Sequence, residues 1–144
     1  MLNIILTDDD EDDRLFFQEA IEDIAVQTKL QLFNNGQDLM TYLNESATNL
    51  PDLLFLDLNM PIKNGMECLK EIKADERFKD LIIAIYSTSS SESDIEDTFV
   101  NGANIYIKKP DSFKKLKKVV EKVLKVNWQY HTSNFNRDTF LLRV

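Results

Sequence analysis

Polar and charged side chains stand directly after four apolar stretches of this sequence. They are Asp8, Asp9, Asp57, Ser87, Thr88 and Lys109. Three carboxylates that meet at one place repel one another strongly unless a positive charge lies among them. If the chain brings these side chains together, the site therefore needs a cation as well as the ammonium group of Lys109.

A hard divalent cation suits this set of side chains. Mg²⁺ prefers oxygen ligands, keeps several waters and is usually held by one or two carboxylates together with phosphate oxygens. The single histidine, His131, lies near the end of the chain, so neither a zinc site nor a histidine base is predicted. A lysine and a hydroxyl can hold the other oxygens of a transferring phosphoryl group. Asp57 would then be the nucleophile, because carboxylates form covalent phosphoryl intermediates.

The elements that must position these side chains follow a repeated strand-then-helix order. Short apolar runs predict strands at residues 2–7, 29–33, 53–56, 81–86 and 104–107. Helical spacing of apolar residues predicts helices at residues 10–24, 38–44, 66–73, 91–101 and 112–126. This order is typical of a doubly wound α/β domain, with a five-stranded parallel sheet covered by helices on both faces. Ligands of such sheets bind at the carboxyl ends of the strands, where the candidate side chains are expected.

Composition and charge limit the other classes of function. The chain has 144 residues, 43% hydrophobic and 29% charged, which suits one domain. No apolar run is long enough to cross a membrane, and the single cysteine, Cys68, cannot form an internal disulfide. We therefore expect a cytoplasmic protein with no membrane partner. The formal net charge of −8 argues against nucleic acid as a partner.

Each candidate residue also has a simpler structural interpretation. Acidic residues ahead of a helix are commonly N-caps that also favour the helix dipole, and we expect Asp10 and Asp12 to act in this way. Asp57 on its own is compatible with capping a loop, and Lys109 before a proline is compatible with a surface turn. The chemical interpretation depends on all of these groups meeting at one edge of the sheet.

Four segments in a fixed order strengthen that interpretation. They are Ile-Leu-Thr-Asp-Asp-Asp at residues 5–10, Leu-Phe-Leu-Asp-Leu-Asn-Met-Pro-Ile-Lys-Asn-Gly at 54–65, Ile-Tyr-Ser-Thr-Ser at 85–89 and Tyr-Ile-Lys-Lys-Pro at 106–110. Together they resemble the receiver domain of two-component response regulators, here of the stand-alone single-domain type. The resemblance covers about residues 2–126. It implies the flavodoxin-like strand order 2-1-3-4-5.

The resemblance also assigns roles at the acceptor site. It implies that Asp57 takes a phosphoryl group from a sensor histidine kinase or a histidine phosphotransfer protein. Asp8, Asp9 and Asp57, with the backbone carbonyl of Asn59, would hold Mg²⁺. Lys109 would pair with Asp57 before phosphorylation and with the phosphoryl oxygens afterwards. The chain would thus be a phosphoacceptor with self-catalysed phosphotransfer and autodephosphorylation, and not a conventional enzyme.

Two further positions match the switch residues of the family. Ser87 would turn its hydroxyl toward the phosphoryl group, and Tyr106 would rotate its ring inward in the active state. The altered surface of helix four, strand five and helix five would then bind a downstream protein. Thr88 stands where the family commonly has a smaller residue, which predicts slower turnover. The resemblance also makes a cis peptide bond before Pro110 an expectation.

Residues 127–144 extend beyond the resemblance and are too few for a separate domain. The expected division is therefore a receiver domain at 1–126 and a C-terminal extension at 127–144. Phe140, Leu141 and Leu142 are its most apolar stretch. Two arrangements remain open from the sequence, packing against the parent domain and pairing with another subunit in a homodimer.

Two other functions are compatible with parts of this pattern. A hydrolase that uses an aspartyl phosphate usually needs a second carboxylate two residues after the nucleophile, where this chain has Asn59. A receiver-like binding module would work by protein contact alone and never accept a phosphoryl group. Accumulation of a labile adduct that is lost in Asp57→Asn would separate the predicted switch from both alternatives.

Overall fold

The computed structural model describes residues 1–45, 49–126 and 140–142. Strands and helices alternate along the chain, with a short 3₁₀ turn at Glu76–Phe78 before the fourth strand. The strands are β1 Leu2–Thr7, β2 Thr28–Phe33, β3 Leu53–Leu56, β4 Ile82–Ser87, β5 Ile105–Lys108 and β6 Leu141–Leu142. The helices are α1 Glu11–Glu22, α2 Gly36–Glu45, α3 Gly65–Lys73, α4 Glu92–Val100 and α5 Phe113–Leu124.

The strands form one parallel sheet in the order β2-β1-β3-β4-β5-β6. The predicted doubly wound fold and its order 2-1-3-4-5 are therefore confirmed, and β6 extends the sheet beyond the five predicted strands. β6 is parallel to β5 and pairs Leu141 with Tyr106 and Leu142 with Ile107. The apolar stretch of the extension, as far as the structure describes it, thus packs against the parent domain.

Two apolar layers, one on each face of the sheet, form the core. Because successive strand residues point to opposite faces, Leu54 and Leu56 pack with α2 and α3, whereas Leu53 and Phe55 pack with α1 and α5. All four of these β3 side chains are fully buried. Burial on both faces explains why β3 is a continuous apolar run and not an alternating one.

Strand register brings the candidate acids to one level of the sheet. Thr7 at the end of β1 pairs with Leu56 at the end of β3, so Asp8 and Asp57 leave neighbouring strands side by side. The Asp57 amide donates to the Thr7 carbonyl at 3.0 Å, which extends the pairing by one residue. The strand pairing alone is therefore sufficient to place these two carboxylates together.

The main differences from the sequence prediction lie at the ends of elements. α1 ends at Glu22 and not at residue 24, and β4 runs from Ile82 to Ser87, shifted by one residue from the predicted 81–86. The peptide bond before Pro110 is trans, so the expectation of a cis bond is wrong; trans is favoured by about 0.5–1 kcal/mol even at proline. Within the described ranges, every helix is too short or too polar to cross a membrane.

Candidate functional site

The loop between β3 and α3 holds Asp57 through close backbone contacts. The amide of Gly65 donates to the Leu58 carbonyl at 3.0 Å, which folds the loop back toward the end of β3. A Cβ atom at position 65 would lie 2.0 Å from the carbonyl oxygen of Asp57, so only glycine allows this approach. Asn64 caps α3 in a capping box with Glu67, which fixes where the loop ends.

Asp8, Asp9, Asp57 and Lys109 line what we call the acidic cleft. One carboxylate oxygen from each of the three aspartates lies within 4.8 Å of those from the other two. The Asp8 and Asp57 side chains are 0% and 6% exposed, whereas Asp9 is exposed. Two of the three acids are therefore largely removed from water, and their charges need compensation inside the protein.

Lys109 provides part of that compensation. Its Nζ atom lies 2.8 Å from Asp8 Oδ2 and 3.4 Å from Asp57 Oδ2. The Lys109 amide also donates to the Ser87 carbonyl at 2.8 Å, so β5 and β4 together fix where the lysine leaves the sheet. The Lys109 side chain is only 9% exposed, which strengthens its attraction to the carboxylates.

The protonation of these groups reflects burial and mutual charge. Desolvation raises the pKa of Asp57 to about 6, and the Asp8 charge adds to that rise while the Lys109 charge opposes it. Desolvation also raises the pKa of Asp8. Burial alone would lower the pKa of Lys109, but contacts with Asp13 and Asp8 outweigh it and raise the value. One lysine therefore does not fully balance the buried carboxylates.

The residues of the acidic cleft fit a divalent cation. Asp8 Oδ2 is buried without a hydrogen-bond donor, although it makes an ion-pair contact with Lys109. The same ammonium group also contacts Asp13 and Asp57, so the clustered acids keep an excess of negative charge that a divalent cation would offset. The three clustered side chains offer carboxylate oxygens and no thiolate or imidazole, which is the donor type that Mg²⁺ and Mn²⁺ share.

Ser87 and Tyr106 lie beside the cleft and are joined through the loop after β4. The hydroxyl of Ser87 accepts from the Ser89 amide at 3.2 Å, and it makes no hydrogen bond to Asp57 in the described structure. The Tyr106 hydroxyl donates to the Ser89 carbonyl at 2.9 Å, and its side chain is fully buried. Thr88 is exposed. The predicted switch residues thus contact one loop, but not the acceptor itself.

Three residues that the sequence interpretation missed also contribute to the cleft. Asp13 Oδ2 accepts from Lys109 Nζ at 2.8 Å, a shorter contact than the lysine makes with Asp57. Arg14 donates to the Asp8 carbonyl at 2.7 Å. The Tyr86 ring centroid lies 5.4 Å from Lys109 Nζ, within the range of a cation–π contact. The available signal was position, since Asp13 lies in the first turn of the helix that follows Asp8 and Asp9.

The simpler interpretations hold for some of the acidic and thiol residues. Asp10 is the N-cap of α1, and its side chain accepts from the Asp13 amide at 3.0 Å. Asp12 lies exposed in the first turn of the same helix, as expected for dipole compensation. Cys68 is buried, and burial raises its thiol pKa to about 11, so a reactive role is not supported.

Comparison with known proteins agrees with this geometry. Residues 4–121 match the model of a family described as the response regulator receiver domain. The response regulator Rcp1 of Synechocystis sp. is 30% identical over 122 residues, which cover 82% of this chain and 83% of Rcp1.

Solved structures of similar proteins have the same fold. The manganese-bound form of Rcp1 has a TM-score of 0.77 at 29% identity, covering 85% of this chain and 91% of that one. The phosphorylated cyanobacterial phytochrome response regulator RcpA has a TM-score of 0.78 at 33% identity, covering 85% and 90%.

Proposed function

The chain belongs to the response regulator receiver domain family, and we propose that it is a single-domain switch that accepts a phosphoryl group on Asp57. Receiver domains are phosphoacceptor switches and not conventional enzymes. The observation that carries the proposal is the acidic cleft: a buried carboxylate at the end of β3, 3.4 Å from an ammonium group and clustered with two further acids. This arrangement suits electrostatic stabilisation of a transferring phosphoryl group.

In the proposed transfer, a carboxylate oxygen of Asp57 attacks the phosphorus of a phosphohistidine on a kinase or phosphotransfer protein. The oxygen–phosphorus bond forms as the phosphorus–nitrogen bond breaks, and the imidazole leaves with the electron pair. A pKa of about 6 leaves Asp57 mostly ionised at neutral pH, as a nucleophile must be. Attack by water on the phosphorus later releases inorganic phosphate and restores the carboxylate.

Asp8, Asp9 and Asp57 would hold Mg²⁺, with the Asn59 carbonyl as a further oxygen ligand. When bound, the ion supplies positive charge that offsets the negative charge of the carboxylates and phosphoryl oxygens. The excess negative charge of the clustered acids, two of them buried, supports this assignment. Because Mn²⁺ uses the same ligand type, the test below compares the two ions.

Lys109 and Ser87 would transmit the effect of phosphorylation from Asp57 to the surface of the domain. Phosphorylation gives Lys109 new phosphoryl oxygens to contact, and it gives the Ser87 hydroxyl a stronger partner than the Ser89 amide. The loop after β4 would then be held in the position to which the Tyr106 hydroxyl bonds, which would favour the inward orientation of the tyrosine ring. The result is a shift in a conformational equilibrium that already exists.

Helix α1 offers a surface for the protein that delivers the phosphoryl group. Leu15 and Phe16 are 53% and 50% exposed, and the Phe113 ring of α5 lies 6.4 Å from that of Phe16. Exposed apolar side chains that group together are typical of protein contacts. Asp13 of the same helix contacts Lys109, so a partner docked here would lie close to the cleft.

The downstream protein would bind the face of α4, β5 and α5. Exposed lysines on α5, among them Lys114, Lys115 and Lys118, favour an acidic or amphipathic partner. We propose that residues 1–126 form the receiver domain and 127–144 its extension. The single cysteine supports a cytoplasmic setting.

The direct test is to incubate the protein with acetyl phosphate and Mg²⁺ and to follow its intact mass. We expect one added phosphoryl group, and no adduct in Asp57→Asn, which keeps the shape of the side chain but cannot form the acyl phosphate. Chelation of the divalent cation should prevent the adduct. Replacing Mg²⁺ by Mn²⁺ should support it, because the cleft offers only oxygen ligands.

Each alternative function gives a different result in this experiment. A binding module would show no added mass at any concentration of acetyl phosphate. A hydrolase would consume acetyl phosphate continuously while little adduct accumulates. A phosphoryl group that survives in Asp57→Asn would place the acceptor elsewhere and contradict the proposal.

A further inference from the structure

A short segment far along the chain covers the edge of β5. Leu141 and Leu142 form β6, in parallel register with Tyr106 and Ile107. A sheet edge without a neighbour exposes a row of unpaired backbone groups, and addition of a strand is a common way to cover them. We call residues 140–142 the clip.

Phe140 holds the clip against the domain. Its side chain is 0% exposed, and its ring centroid lies 5.3 Å from that of Phe99 on α4 and 6.1 Å from that of Tyr106 on β5. Both ring pairs have the edge-to-face geometry that aromatic side chains prefer. The clip therefore combines strand pairing with insertion of one aromatic anchor between α4 and β5.

Tyr106 joins the clip to the loop beside the acceptor. On one side its hydroxyl donates to the Ser89 carbonyl at 2.9 Å, and on the other its ring contacts Phe140. The Ser89 amide in turn donates to the Ser87 hydroxyl. Because both side chains are fully buried and in ring contact, we expect that a change in the orientation of the Tyr106 ring requires Phe140 to move.

We propose that the clip docks on the domain only while Tyr106 lies inward, so that clip docking and phosphorylation of Asp57 stabilise each other. The occupant of the groove between Phe99 and Tyr106 is thus the chain's own residues 140–142. This inference rests on the proposed function of Asp57. Linkage requires that each event strengthen the other by the same factor.

The first test measures the effect of the clip on the acceptor site. Beryllofluoride with Mg²⁺ serves as the probe, and its half-saturating concentration is compared between the full chain and Phe140→Ala. We expect the variant to need about fivefold more beryllofluoride, at the lower end of typical coupling between sites. A chain truncated after residue 139 should show the same change, which guards against a local effect of the substitution.

Val100→Ala is the matched control for Phe140→Ala. It shortens an exposed side chain next to Phe99 and should leave the half-saturating concentration of beryllofluoride unchanged. If the full chain takes up no beryllofluoride, the proposed function of Asp57 fails. If the full chain binds beryllofluoride and Phe140→Ala has the same half-saturating concentration, the proposed function of Asp57 stands and the inference about the clip is overturned.

The second test measures the effect of the acceptor site on the clip. Hydrogen exchange of the amides at residues 140–142 should slow by about the same fivefold factor when beryllofluoride is bound. Faster exchange would show that the clip opposes the phosphorylated state, which contradicts the inference. Protection that depends on protein concentration would assign the segment to a second copy and would likewise overturn it.

Discussion

The acidic cleft and the clip lie on the same sheet but are stabilised by different interactions. In the cleft, buried Asp8 and Asp57 face one lysine. The contribution of these charged groups to the free energy of unfolding therefore depends on the proton and cation concentrations. In the clip, Phe140 packs edge-to-face against two aromatic rings, a contact that does not titrate. Changes in the cleft should therefore alter chemistry and pH response, and changes in the clip should alter coupling.

The two regions also differ in how strongly they depend on the rest of the fold. Near the cleft, the core residue Phe17 is 0% exposed and packs edge-to-face on Phe55 and on Tyr86, the ring that Lys109 contacts. The clip contributes a two-residue strand at one edge. A region of this size can open while the domain stays folded. Substitutions in the two regions should therefore differ in their effects on stability and on acceptor chemistry.

Phe17→Ala should reduce the free energy of unfolding by about 4 kcal/mol, as is usual for a large aromatic side chain removed from a core. Phe140→Ala, although equally buried, should reduce it by only about 1 kcal/mol, because the clip can separate before global unfolding. Urea denaturation monitored by circular dichroism measures both values. Similar losses for the two variants would mean that the clip is an integral part of the core.

Gly65→Ala should reduce the free energy of unfolding by about 3 kcal/mol, because the new methyl group would overlap the Asp57 carbonyl. The variant should also lose most of its adduct with acetyl phosphate, since the displaced backbone moves Asp57. Gly102→Ala is the matched control: the φ of 94° at this position makes alanine unfavourable, but the three atoms nearest to the added methyl group belong to the flexible Lys73 side chain. It should lose stability and keep the adduct.

The stability of the metal-free protein should fall as pH rises from about 4 to about 6. Over this range, between the ordinary aspartate pKa of 3.8 and the folded pKa of about 6, the native state holds a proton on Asp57 that the unfolded state has lost. Asp57→Asn removes this part of the slope, and near pH 7 it should be more stable by about 1–2 kcal/mol. Urea titrations in the presence of a chelator, with exposed Asp12→Asn as control, measure the difference. An unchanged slope in Asp57→Asn would contradict the assigned burial effect.

Asp13→Asn should lower the concentration of acetyl phosphate needed for half-maximal adduct by about two- to fivefold. The substitution removes a carboxylate that holds Lys109 at 2.8 Å, which frees the ammonium for the phosphoryl oxygens. Asp12→Asn removes the same charge from the same helical turn, but Asp12 is exposed. This variant therefore measures how much of the change comes from reduced repulsion between the protein and the negatively charged acetyl phosphate. Equal responses of the two variants would leave Asp13 without a specific role.

The sequence predicted most of the fold because its apolar runs reflect burial directly. The run at residues 53–56 indicated a strand buried on both faces, and Asp57 after it was therefore expected at the carboxyl end of the sheet. The strand order came from the resemblance, since periodicity alone does not give the neighbours of a strand. The contact of Asp13 with Lys109 was missed because an acid in the first turn of a helix normally favours the dipole and remains solvated. The position of Phe140 stayed open because an apolar segment packs equally well on its own domain or on another copy.

The parallel direction of β6 has a practical consequence for labels and fusions. The described strands all run in the same direction, so Leu2 lies at the end of the sheet opposite the acidic cleft. Leu142, by contrast, pairs with Ile107, two positions before Lys109. A fluorophore or affinity handle joined at the amino terminus would be remote from both the acidic cleft and the clip. The same handle attached after Leu142 would start close to the phosphoacceptor edge and pull on the clip, and would thus perturb the coupling that an experiment sets out to measure.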